Sequence, residues 1–273
     1  RSRGFAASPH HEKRRGFVFW GESMRGKISL LSAPLGEFTV EEVPVPEPKR
    51  GEVLVKQAMC GVCGTDVHMY QGRLPDTRYP IVLGHEPVGT IEKLGEGVKT
   101  DYTGRAVKEG DLIYVVPGLP CRRCYFCSVL REPTLCVNGT AYGFNPFPDE
   151  PRGFQGGYAE YIYLNHPSST FVKMDAKPEA AVFLEPLTIG IHTMDRARLH
   201  AGDTVVIQGA GAIGLSALIV AKQTGAFKTI VVGAPESRLK LAEEFGADLT
   251  INIEEETDPK KRIEMVKRET VGG

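Results

Sequence analysis

The run CRRCYFCSVLREPTLC constrains this chain more than any other stretch, because it gathers Cys121, Cys124, Cys127 and Cys136 into one short lobe of backbone. Three cysteines at i, i+3 and i+6, with a fourth shortly beyond, can wrap a single tetrahedral ion. Thiolates at this spacing suit Zn²⁺, which takes four ligands at about 2.3 Å and has no redox chemistry of its own. A closed four-thiolate site keeps no open position, so its role is structural. Arg122, Arg123 and Arg131 lie close enough in sequence to offset the negative cluster. Two disulfides or an iron–sulfur cluster would use the same residues. The composition suits a reducing, cytoplasmic compartment, where disulfides are rare.

The other two cysteines, Cys60 and Cys63, sit together in CGVCGTDVH, so none is left to staple distant segments. Downstream come GHEPVG, with His85 and Glu86, and FLEPLTIGIH, with Glu185. Cys, His and Glu from three separated segments are the inventory of a catalytic zinc site, with a fourth position for water or substrate. The competing readings are a Cys60–Cys63 redox pair and a helix-terminal acid at Glu185.

A length of 273 residues allows one large or two ordinary domains. A formal net charge of -1 gives no reason to expect a nucleic-acid or anionic-membrane partner. No apolar run approaches the roughly 18–20 residues of a membrane span. Residues 1–23 are basic and without period, which predicts a disordered or non-native extension, and Met24 opens a regular pattern. From 24 to about 180, short apolar runs broken by Gly and Pro predict a β-rich, barrel-like domain, with the cysteine lobe at about 117–140.

From 181 to 273 the grammar changes. AAVFLEPLTIGIHTMDRARL reads as a helix with Leu184, Leu187 and Ile191 on one face. Strands then alternate with helices, with strand candidates at Thr204–Gln208, Thr229–Val232 and Leu249–Ile253, which implies βαβ units and a parallel sheet. A dinucleotide domain normally has six strands, so this one reads as incomplete. GAGAIG follows the first of these strands and opens a helix. Gly209 permits the tight turn, Gly211 admits a pyrophosphate, and Gly214 lets helix and strand pack; Ala212 and Ile213 complete the turn. The tip of the second strand, where an acid would bind ribose hydroxyls, carries Gly233. Arg238 follows and would favour a 2′-phosphate, while Glu236 in the same loop is an alternative ribose ligand. The cofactor is therefore NAD or NADP, with a lean to NADP.

CGVCGTDVH, GHEPVGTIEKLGEGV, the four-cysteine lobe, GGYAEYI, LEPLTIGIH and VVIQGAGAIG occur in the order seen in medium-chain zinc-dependent alcohol dehydrogenases, which the chain resembles from about Met24 to its end. The resemblance implies a GroES-like catalytic domain followed by a Rossmann domain, with two zinc ions per chain. It implies an oxidoreductase moving hydride between a secondary alcohol or polyol and NAD(P), assembled as a homodimer or homotetramer when full length. Cys63 and His85 match the zinc ligands. Glu185 matches the third-ligand position, which is Glu in polyol and threonine dehydrogenases, and Glu86 the second-shell or exchangeable carboxylate. Thr65 matches the hydroxyl that takes the substrate proton, and His68 the outer end of that relay. An amino-alcohol or sugar dehydrogenase of the same family, and a catalytically inactive zinc- and nucleotide-binding protein, are the alternatives. The Cys127–Cys136 interval is one residue longer than the commonest family spacing, and the resemblance reads the chain as lacking its C-terminal part.

Overall fold

The computed structural model describes residues 24–144 and 153–270, so the expectation for residues 1–23 lies outside the described residues. Strands β1 (Arg25–Leu31) and β2 (Phe38–Pro44) form an antiparallel ribbon. Strand β3 (Val53–Cys60), helix α1 (Gly64–Tyr70), strand β4 (Pro87–Leu94) and strand β5 (Leu112–Val116) follow. The short pair β6 (Gly118–Leu119) and β7 (Thr140–Ala141) closes the root of the cysteine lobe, which holds helix α2 (Tyr125–Ser128). With β8 (Tyr161–Leu164) and β9 (Thr170–Lys173), the main antiparallel sheet runs β8-β3-β4-β5-β9.

Alternation along its central strands explains why this sheet bends round a core. Val53 and Val55 join Ile162 and Leu164 on one face, while Leu54 joins Tyr161 and Tyr163 on the other. Successive side chains point to opposite faces, so a strand covered on both sides reads as a continuous apolar run. Leu54 is 1% exposed, and its truncation to Ala would cost about 2–5 kcal/mol. The turn-rich segment between β4 and β5 is organised by the buried Asp101. Its carboxylate accepts from Thr103 N, Thr103 Oγ1 and Arg105 N, and from Lys173 N across the sheet at 2.9 Å.

Helices α3 (Pro178–Ala181) and α4 (Leu184–Arg196) lead into β10 (Thr204–Gln208), α5 (Ala212–Thr224), β11 (Lys228–Gly233), α6 (Glu236–Glu244), β12 (Leu249–Asn252) and α7 (Pro259–Arg268). The three strands form a parallel sheet in the order β10-β11-β12, the expected strand–helix alternation. The helical stretch before it differs from expectation in two ways. It is broken between Ala181 and Leu184, and the buried residues of α4 are Pro186, Gly190 and Met194, with Ile191 50% exposed. The cause is the crossing with α5: a Cβ on Gly190 would lie 2.7 Å from the Ser216 carbonyl carbon, so the smallest residue sets the contact face.

Ala181, with Val182 and Leu184 beside it, packs on Val88 and Tyr114 of the barrel. That seam carries the start of α4, and with it Glu185, to the barrel's side. No helix among the described residues is long and apolar enough to cross a membrane.

Candidate functional site

Helix α1 begins at Cys63 because Asp66, three residues on, satisfies its free amide: Cys63 N donates to Asp66 Oδ2 at 2.8 Å. The other oxygen of the same carboxylate accepts from Gly84 N at 3.2 Å, which ties the helix start to the GHEP loop. His85 Nδ1 then lies 3.4 Å from Asp66 Oδ1, and both side chains are buried. Beyond this long contact, the buried Nδ1 has no other partner among the described residues. With Nδ1 turned to Asp66, Nε2 is the ring nitrogen left for a metal. The Phe144 ring packs edge-on against His85 at 4.7 Å between centroids and fixes its plane.

One ligand atom each from Cys63, His85 and Glu86 lies within 4.8 Å of the others. Glu86 can enter because residue 61 is glycine; a Cβ there would overlap the Glu86 carboxylate. Glu185 is not in this mutually close set. It sits one carboxyl further out, hydrogen-bonded to Glu86. Thr65 Oγ1 is 3.5 Å from Cys63 Sγ, and His68, one turn along α1, is exposed. Cys60 stays outside: its thiol donates to the Gly61 carbonyl oxygen, and burial pushes it up to about 12.

The charge balance of this cluster calls for a cation. Burial raises Glu86, and the neighbouring Glu185 charge raises it further; burial likewise raises Glu185. Burial opposes a charge on His85, yet Asp66 and then Cys63 raise the ring to about 9. A buried imidazole beside a thiol and three carboxyls is a setting in which a divalent ion would balance the negative groups. One thiolate, one imidazole and one carboxylate are an open Zn²⁺ donor set.

The four lobe cysteines are all unoxidised, with every Sγ within 4.8 Å of the others. Cys124 Sγ stands 3.5 Å from Cys127 Sγ and 3.9 Å from Cys136 Sγ, the edge lengths of a tetrahedron about one ion. Main-chain amides carry the offsetting polarity. The Arg123 amide is the first of several donors that hold Cys121 down to about 6, and the Cys127 amide leads those that lower Cys124. Burial, and after it the neighbouring Cys124 and Cys136 thiols, push Cys127 up to about 12. The Arg122 guanidinium, expected to face the sulfurs, instead reaches the Ser168 carbonyl oxygen at 3.5 Å.

In the parallel sheet, β10 ends at Gln208 and α5 begins at Ala212, so Gly209–Gly214 forms the turn at the helix mouth. Gly209 adopts φ +108°, and a Cβ on Gly214 would collide with the Gly209 carbonyl oxygen. Gly211 caps α5, and Ile213 is 42% exposed on its first turn. A cleft of about 420 Å³ opens here, lined by Gly209, Gly211, Gly233, Arg238, Ile253 and Arg262 among others. Gly233 ends β11 with the glycine turn close above it: a Cβ there would stand 2.8 Å from Ala210 N. The absence of an acid at this tip thus has a steric cause as well as an electrostatic consequence.

Three residues in these sites were missed by sequence reasoning. Asp66 was signalled by its place three residues into a helix capped by Cys63, which the metal-ligand pattern overshadowed. Phe144 and Arg262 carried no signal, because each reaches its site from a segment remote in sequence.

Two family models match the chain: an alcohol dehydrogenase GroES-like domain over residues 49–176 and a zinc-binding dehydrogenase domain over residues 212–271. 5-exo-hydroxycamphor dehydrogenase of Pseudomonas putida is 39% identical over 232 residues, covering 83% of this chain and 62% of that protein. Sorbitol dehydrogenase of Gallus gallus is 37% identical over 238 residues, covering 84% and 62% respectively. The solved structure of an alcohol dehydrogenase from Thermotoga maritima superposes with a TM-score of 0.81 at 36% identity, covering 88% of this chain and 66% of that one. The chain thus spans about three-fifths of the length of the curated relatives it matches, 62% of each of these two.

Proposed function

The chain belongs to the medium-chain zinc-dependent alcohol dehydrogenases, and we propose that it serves hydride transfer between a secondary alcohol or polyol and a nicotinamide dinucleotide, with a lean to NADP. The observation that carries this reading is the open donor set of Cys63, His85 and Glu86 on a chain that also bears a glycine-turn nucleotide cleft. Two zinc ions per chain are part of the proposal, one in that set and one among Cys121, Cys124, Cys127 and Cys136. The names of the relatives, a hydroxycamphor and a sorbitol dehydrogenase, support a secondary alcohol as substrate.

Bound in the open set, Zn²⁺ would supply Lewis acidity that lowers the pKa of an alcohol oxygen. Cys63, His85 and Glu86 would hold it, with Glu185 in reserve beside Glu86. Asp66 keeps the His85 ring oriented. The Thr65 hydroxyl, 3.5 Å from Cys63 Sγ, stands where it can accept the alcohol proton, and the exposed His68 on the same helix face passes it to water. The free amides at the start of α5 would hold the dinucleotide diphosphate.

Metal analysis of the purified chain tests the reading. Two equivalents of zinc, one lost on Cys63→Ala and the other on Cys124→Ser, are the expected result. One equivalent insensitive to Cys63→Ala would overturn it and leave a protein with structural zinc alone. A screen of polyols and cyclic secondary alcohols with NAD and NADP then assigns the substrate.

A further inference from the structure

We propose that Arg262 is a specificity-determining residue of the nucleotide cleft, selecting an adenine nucleotide bearing a 2′-phosphate over one with a free ribose diol. The inference rests on the nucleotide reading above and assigns a role to a residue outside the glycine fingerprint. Arg238 lies in the first turn of α6 and Arg262 in the second turn of α7, so consecutive βα units each contribute one guanidinium to the same cleft. The pairing of β11 with β12, which sets Gly233 opposite Asn252, brings those helix starts side by side.

The two cations differ in what they can reach. Arg238 Nη1 stands 4.0 Å from where a Gly211 Cβ would be, over the turn that takes a diphosphate. A diphosphate alone can therefore satisfy Arg238. Arg262 is anchored further from that turn: its Nη1 donates to the Glu256 carbonyl oxygen at 2.6 Å, and it lines the cleft with Ile253. Half-buried and held by that bond, its guanidinium is pre-ordered, and its remaining N–H donors are available to an anion.

No carboxylate lines the cleft among the described residues. Three acids near it in sequence are engaged elsewhere. Glu236 Oε2 and Glu255 Oε1 both accept from Asn252 Nδ2, at 3.1 and 3.3 Å, and Glu256 Oε1 accepts from Asp258 N. Glu236, the alternative ribose ligand, is thus turned to Asn252. An acid at Gly233 is disfavoured by the 2.8 Å approach to Ala210 N. With Arg238 satisfied by the diphosphate, the Arg262 guanidinium facing a ribose diol would stay uncompensated, whereas a 2′-phosphate close to two negative charges matches it.

Binding of 2′,5′-ADP and of 5′-AMP to the intact chain, followed by calorimetry at fixed salt, tests the proposal without turnover. Wild-type protein should bind 2′,5′-ADP about 10- to 100-fold more tightly than 5′-AMP. Arg262→Gln should bring the two within about threefold by weakening 2′,5′-ADP alone, and Arg262→Lys should keep part of the preference. Arg238→Gln should weaken both ligands. Equal binding of the two nucleotides by the wild type, or an equal loss for both on Arg262→Gln with an unchanged melting temperature, overturns the proposal while leaving the cleft a nucleotide site. If neither nucleotide binds, and NAD and NADP do not bind either, the nucleotide reading itself falls and the proposal with it.

Discussion

Asp66 Oδ1 stands 3.4 Å from His85 Nδ1, while the same carboxylate accepts the amides of Cys63 and Gly84. One buried acid therefore fixes the start of helix α1, the entry to the GHEP loop and the orientation of an imidazole. A partner of this kind sets the tautomer and raises the basicity of a ligating histidine. Asp66→Asn keeps one acceptor oxygen, and so only one of the two amide contacts, and should weaken zinc at the Cys63 set by about 10- to 100-fold. Competition with a chromophoric chelator measures this, and the zinc of the four-cysteine lobe serves as internal control. Equal loss from both sites would mean that Asp66 acts on the fold and not on the metal.

The cysteine lobe gives a prediction of the opposite kind. Short helices and tight turns make up most of its backbone, and its hydrophobic contribution is slight, since Tyr125, Val129, Leu130, Leu135 and Val137 are all exposed. On the proposed reading, an ion among the four thiols would hold it together. Cys136→Ser should remove one zinc equivalent and cost on the order of 3 kcal/mol, roughly 6–12 °C in melting temperature, while the Cys63 set keeps its metal. A variant that melts like wild type would show that the lobe does not depend on its ion.

Asp101 predicts an acid limit to stability. Burial works against its charge, but the amides of Lys173, Arg105 and Thr103 and the Thr103 hydroxyl hold its carboxyl down to about 2. The unfolded chain titrates near 3.9, so the folded state binds the proton less readily. Its contribution is therefore complete above about pH 5 and is lost as pH falls from there towards 2. Asp101→Ala should cost about 2–3 kcal/mol at pH 7, by stranding several donors, and the difference from wild type should shrink as pH drops below 4. A pH-independent difference would assign the loss to loop packing instead.

Local sequence carried the cysteine lobe, the glycine turn and the strand–helix alternation, because each is written in neighbouring residues with a fixed period or spacing. What sequence did not carry depends on contacts between distant segments. The buried face of α4 centres on Gly190, where α5 approaches closely, a contact that apolar periodicity does not announce. Arg122, which charge alone would turn towards the thiolates, is drawn to the Ser168 carbonyl oxygen. Arg262 reaches the cleft only because β12 lies next to β11, a fact of topology that no local motif announces.

The two carboxylates Glu86 and Glu185 pose the most discriminating test. Sequence pattern favours Glu185 as third ligand, since it falls at the family position for one. Geometry favours Glu86, which lies within 4.8 Å of Cys63 and His85 and fits only because Gly61 has no side chain. If Glu86 is the ligand, Glu86→Gln should lower metal affinity of the open set by about tenfold or more, because an amide oxygen carries no charge to offset the ion. Glu185→Gln should then leave affinity within about threefold, since its carboxylate acts through Glu86. Gly61→Ala offers a second route, displacing the Glu86 carboxylate without changing any ligand, and should reproduce most of the Glu86→Gln effect. Cobalt substituted for zinc reports the same question spectroscopically, as its d–d bands follow changes in the inner ligand set. Loss of metal on Glu185→Gln with retention on Glu86→Gln would return the third-ligand role to Glu185, and would mean that the cation draws the start of α4 inward over Tyr114.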